Sequence, residues 1–75
     1  MITLYTRTVC PKCMLVKQAL NGADIQYEVK NLDLDSEAEA ELREQGIMGL
    51  PTAKFNDIYY VDVPPILALI PELAE

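Results

Sequence analysis

The stretch Ile2-Thr3-Leu4-Tyr5-Thr6-Arg7-Thr8-Val9-Cys10-Pro11-Lys12-Cys13 decides how this chain folds. Ile2 to Thr6 is a short, β-rich run and reads as a strand. Past the cysteines, Met14, Leu15, Val16, Ala19 and Leu20 group as on one helix, predicting a helix over residues 10–20. Pro11 suits its first turn, where a missing amide costs nothing. Asn21-Gly22 signals its end. A strand that feeds a helix through a Cys-x-x-Cys pair opens an α/β domain.

Working outward, residues 25–32 alternate, with Ile25, Tyr27 and Val29 on one face and Gln26, Glu28 and Lys30 on the other. That pattern predicts a half-buried strand. Asp35 or Ser36 can cap a second helix, with Glu37 and Glu39 favoured by the dipole in its first turns. It should stop near Gly46, and its thin apolar stripe predicts a largely exposed helix whose Glu37, Glu39, Glu41 and Glu44 form a solvated face. Thr52 to Phe55 and Ile58 to Val61 flank Asn56-Asp57, which reads as a tight hairpin. Asp62 followed by Val63-Pro64-Pro65 starts a last helix, and Pro71 is expected to break or kink it. The order β-α-β-α-β-β-α predicts an α/β fold, a four-stranded mixed sheet with helices on both faces and a right-handed first crossover.

The chain has 75 residues, enough for one domain over residues 1–75, and shows no repeat, linker or low-complexity tract. Hydrophobic residues make up 51%, so a compact core is feasible, and with one Phe and no Trp it must be mostly aliphatic. Six Lys/Arg against twelve Asp/Glu give a net charge of −6. Such acidity argues against nucleic acid or anionic membranes as partners, since both select basic patches. There is no His, which removes Ser-His-Asp and Cys-His schemes and every His-containing metal site. The longest apolar run, Ile66 to Ile70, is too short to span a bilayer.

The chemistry therefore falls to Cys10 and Cys13. A disulfide between them closes a loop worth only about 2 kcal/mol in the chain-entropy model, too little to explain them as a staple. A stapled secreted mini-protein would carry more cysteines, further apart, and Met1 to Thr6 contains neither a basic leader nor an apolar signal core. The expectation is a cytoplasmic protein with cysteines kept for reaction. At a helix start, free amides and the dipole stabilise a thiolate, so Cys10 is the candidate nucleophile. Cys13, one turn in, is placed to resolve a mixed disulfide. Arg7 and Lys12 add positive charge beside them. Two other readings stay open on spacing alone: a pair of buried small thiols, or half of a tetrathiolate metal site shared with a second chain.

The segment Tyr5-Thr6-Arg7-Thr8-Val9-Cys10-Pro11-Lys12-Cys13 resembles the active-site segment of glutaredoxins, and Gly49-Leu50-Pro51-Thr52 resembles the Gly-x-Pro-Thr element of the thioredoxin superfamily. The resemblance covers roughly residues 1–61. It implies a thioredoxin-like fold, a cis peptide bond before Pro51 and thiol–disulfide oxidoreductase activity on protein disulfides. It further implies that Cys10 and Cys13 are catalytic and that substrate backbone lies along Leu50, Pro51 and Thr52, near Arg7 and Lys12. It implies no cofactor beyond the cysteines, no bound metal and action as a monomer in electron transport and cell redox homeostasis. Redoxins that supply electrons to ribonucleotide reductase are similar in size and cysteine arrangement.

Glutaredoxins usually carry a Gly-rich turn before the last helix, whose amides receive a glutathione carboxylate. Here the turn is Val61-Asp62-Val63-Pro64-Pro65. Two prolines supply no donors, and Asp62 is negative whether or not it also caps the helix. This favours a dithiol reductase of the thioredoxin-reductase type as electron source; the alternatives are a glutathione-dependent glutaredoxin and, from another class, a zinc or iron–sulfur module bridging a dimer. Lys54 shares an inward face of the third strand with Thr52, so it should reach an edge or pair with a carboxylate. A sharper expectation places Lys54 near the cysteines, biasing the thiolate. Tyr5, Tyr59 and Tyr60 read as packing residues.

Overall fold

A computed structural model describes residues 1–74. β1 (Ile2–Thr6), α1 (Pro11–Gly22), β2 (Tyr27–Asn31), α2 (Ser36–Glu44), β3 (Thr52–Phe55), β4 (Ile58–Val61) and α3 (Val63–Leu73) follow in that order. The sheet runs β2-β1-β3-β4. β1 and β2 are parallel, joined by α1, and β3 and β4 pair antiparallel, giving the mixed sheet expected of a thioredoxin-like fold.

Strand alternation sends Ile2, Leu4 and Ala53 to one face, where they meet Val16 and Leu20 of α1 and Ile66 and Leu69 of α3. All seven are buried, and each aliphatic side chain removed from water contributes on the order of 2 kcal/mol. The opposite face is more polar. Tyr5 there packs with Leu32 and with Ala38 and Leu42 of α2. Helices therefore cover both faces, with the larger core under α1 and α3.

Asn56 and Asp57 join β3 to β4 with φ of 52° and 64°, the left-handed pair that a two-residue hairpin matching the sheet twist demands. Asp35 caps α2 by accepting from the Ala38 amide at 3.1 Å. Gly46, at φ 72°, ends the turn after it.

Three expectations need correction. α1 continues through Gly22, and the left-handed position after it is taken by Asp24 at φ 57°. Asp, whose short polar side chain tolerates that region, replaces the expected glycine stop. β2 is shorter than residues 25–32 and lies at the sheet edge, so Val29 stays 44% exposed. α3 is not broken at Pro71; it runs on to Leu73. The proline forfeits a single amide bond to Leu67, and because the helix ends within its last turn nothing further along depends on that bond.

Candidate active site

The C-terminal ends of β1 and β2, the start of β3 and the end of β4 converge at one edge, because Tyr5 pairs with Lys30 and Thr52, and Thr52 with Val61. Every sequence-predicted site residue hangs from this edge. β1 runs out at Thr6, the chain turns through Arg7 to Val9, and Cys10 caps α1. Cys10 and Cys13 are joined as a disulfide, their Cα atoms 5.2 Å apart. The Cys13 backbone N–H donates to Cys10 Sγ at 3.1 Å. Cys13 is buried and Cys10 only partly so, so an incoming group meets Cys10 first. On reduction the same amide and the helix dipole act on a Cys10 thiolate, the charged form they stabilise.

The loop before Cys10 is pinned. Asp33 accepts from the Thr8 amide at 2.9 Å and from Arg7 Nη1 at 2.7 Å, and Asn31 Nδ2 donates to Thr8 Oγ1 at 3.3 Å. The Thr8 amide first, then Arg7, holds the Asp33 carboxyl below its ordinary value. Arg7 is thus already paired. Lys12 Nζ lies 3.8 Å from Asp62 Oδ1, in an exposed and weak pair.

The Leu50–Pro51 peptide bond is cis. Pro51 and Thr52 are buried, and the Thr52 hydroxyl donates to Gly49 O at 2.8 Å. Thr52 therefore shapes the loop, whereas Leu50 is half-buried at its surface. The Asp62 amide donates to Pro51 O at 2.8 Å, tying the turn before α3 to this loop. Asp62 itself sits at φ 76° and accepts from the Val63 amide at 2.7 Å. That amide is taken, and Pro64 and Pro65 have none to offer.

Lys54 is not beside the cysteines. It pairs with Thr3, toward the other end of β1, and its ammonium is 3.1 Å from Glu41 Oε2. Tyr5 donates to the same oxygen at 2.9 Å, and Tyr59 donates to it too. Glu41 is therefore not on a solvated face: burial pushes its carboxyl up, and hydrogen bonds from Tyr59, Lys54 and Tyr5 outweigh that and bring it below its ordinary value. Tyr5 is raised, by burial first and then by Glu41. The sequence held one signal for this cluster, the requirement that an inward Lys54 find a carboxylate. Among the described residues no group of three or more Cys, Asp or Glu side chains is placed to hold a metal ion.

Residues 2–59 match the family model described as Glutaredoxin. The glutaredoxin-like protein NrdH of Salmonella typhimurium is 34% identical over 64 residues, covering 85% of this chain and 79% of the relative. NrdH of Escherichia coli strain K12 gives the same identity and coverage. A solved structure of the E. coli NrdH-redoxin, described for the thioredoxin-like activity profile of that glutaredoxin-like protein, superposes with a TM-score of 0.85 at 33% identity, covering 96% of this chain and 92% of that one. A buckwheat glutaredoxin–glutathione complex, at 17% identity, shares the fold with a TM-score of 0.76 over 95% of this chain and 68% of its own. With its Cys-x-x-Cys pair at the start of α1, the chain belongs to the glutaredoxin family of thiol–disulfide oxidoreductases.

Proposed function

We propose that this protein is a dithiol redoxin that reduces disulfides of partner proteins and is itself recharged by a thioredoxin-reductase-type dithiol donor. The Cys10 thiolate attacks a substrate disulfide and forms a mixed disulfide. Cys13 then attacks Cys10 Sγ, releasing the second substrate thiol and leaving the Cys10–Cys13 disulfide. The observation that carries this reading is the pair itself: Cys10 at the open end of α1, with Cys13 one turn behind it and already able to bridge. Leu50 and the Pro51 loop flank the approach, with Arg7 and Lys12 beside it.

The choice of reductant rests on the turn before α3. Asp62 occupies the Val63 amide and the next two residues are prolines, so this helix start offers little to a glutathione carboxylate. The net charge of −6 adds repulsion. Likeness to NrdH proteins supports ribonucleotide reductase as one electron acceptor, and we infer action in the cytoplasm as a single-domain monomer.

A coupled NADPH assay tests the reading directly, run with thioredoxin reductase and, in parallel, with glutathione plus glutathione reductase. Turnover with thioredoxin reductase is expected; turnover with glutathione alone overturns the reductant. Cys10→Ser is expected to abolish insulin reduction. Cys13→Ser should lower it at least 100-fold while accumulating the mixed disulfide on Cys10, and full activity of that variant would refute the dithiol mechanism. Metal analysis of anaerobically purified protein separates the dimer-bridging metal module.

A further inference from the structure

A cavity of about 370 Å³ opens between the end of α2 and the chain leading to Pro51. That is within the ~300–1,000 Å³ of ordinary ligand sites. Leu32, Leu42, Ile47 and Leu50 give it an apolar lining, to which Arg7, Glu39 and Arg43 add charged groups. It borders both loops that lead to the reactive edge, since Arg7, three residues before Cys10, and Leu50, next to Pro51, line it. Met48, 97% exposed, adds apolar surface to the same wall.

The charges decide what the cavity accepts. Arg7 is bound by Asp33 at 2.7 Å. Arg43 is bound by Glu39 at 2.6 Å, and the second Glu39 oxygen lies 3.9 Å from Arg7. Glu39 thus stands between the two guanidiniums and takes up charge that an incoming carboxylate would need. Two cations are matched by two anions, leaving an apolar pocket with a neutral edge.

We propose that this cavity is a side-chain subsite for the protein disulfide substrate, taking a bulky uncharged aliphatic or aromatic residue that flanks the substrate cysteine, and that Glu39 and Asp33 close it to acidic residues. The proposal rests on the thiol-exchange reading above and adds the class of sequence that the site selects. An extended substrate chain passing Leu50 places one neighbouring side chain over the cavity, and burial of that side chain strengthens the encounter.

The test is a single-turnover reaction of the reduced protein with symmetrical peptide disulfides. Each turnover converts the protein dithiol and one peptide disulfide into the protein disulfide and two peptide thiols, so no further reductant enters. The peptides are Ac-Gly-Xaa-Cys-Gly-Gly-NH2 and Ac-Gly-Gly-Cys-Xaa-Gly-NH2, with Xaa as Leu, Ala or Asp. Leu is expected to react at least five-fold faster than Ala on one side of the cysteine, and Asp no faster than Ala. Ile47→Trp, which fills the cavity, should erase the Leu-to-Ala ratio, and Ile47→Ala, which keeps it open, should retain a ratio above two. Glu39→Gln frees the guanidiniums and should raise the Asp-to-Ala ratio at least three-fold. Equal Leu and Ala rates on both sides, or a ratio untouched by both Ile47 variants, overturn the subsite and leave thiol exchange standing. An unchanged Asp-to-Ala ratio in Glu39→Gln refutes the charge-closing role. Failure to react with any peptide disulfide refutes the underlying reading instead.

Discussion

A single oxygen, Glu41 Oε2, accepts from Tyr5, Tyr59 and Lys54 and links α2 to β1, β3 and β4. Removing the carboxylate leaves three donors short of a partner in a partly buried place. Glu41→Ala is therefore expected to cost about 1–3 kcal/mol, and roughly 4–8 °C of melting temperature per kcal/mol. The folded carboxyl titrates below its ordinary value, so its contribution is fully present above the ordinary glutamate range of ~4.3 and is lost as pH falls through the lower folded value. Melting temperatures of wild type and Glu41→Ala, measured from pH 7 to pH 3, should converge on acidification; a constant gap contradicts the assignment. The reactive pair was legible because two cysteines in a His-free chain leave few other chemistries. Glu41 was not, because four glutamates share α2 and its neighbourhood, and only the register of Tyr5, Lys54 and Tyr59 singles one out.

Among the elements, legibility followed local chemistry. Asn56-Asp57 reads as a hairpin from two residues alone, since both must take positive φ and Asn and Asp tolerate it. β2 is the strand its alternation predicts, but shorter and less covered than residues 25–32 suggest. Alternation marks which side a residue faces, whereas an edge position decides how much covers it, and Val29 is left half in water. Pro71 was misread because the lost amide bond falls in the last turn of α3, where little remains to be disrupted. The hairpin yields the element's prediction. Asp57 holds φ 64° with a Cβ, and glycine adopts that region without steric cost. Asp57→Gly is expected to stabilise the protein by no more than about 0.5 kcal/mol, relief of the positive φ outweighing the freedom glycine adds to the unfolded chain. Chemical denaturation checks it: a higher midpoint at unchanged slope is the expected result, and a lower midpoint refutes it.

Across the whole molecule, charge separates two kinds of reaction partner. The chain carries −6, and the cations nearest the cysteines, Arg7 and Lys12, each face a carboxylate, Asp33 and Asp62. Neither cation is left uncompensated to draw in an anion, so the net charge is expected to dominate its approach. Sequence counting exposes the total but not this local cancellation, which depends on pairs made between the β1–α1 loop and the β2–α2 loop and between α1 and the residue that caps α3. Repulsion between like charges is a rate effect that salt screens, with a Debye length of ~30 Å at 0.01 M falling to ~8 Å at 0.15 M. The reduced protein should therefore react with glutathione disulfide, an anion, roughly two- to five-fold faster at 0.15 M salt than at 0.01 M. Hydroxyethyl disulfide, which is neutral, should show no such increase. Stopped-flow traces of both reactions at fixed pH give the comparison. A glutathione disulfide rate that falls with salt would mean that Arg7 and Lys12 attract the anion despite their partners, and would restore glutathione as the better-matched electron source.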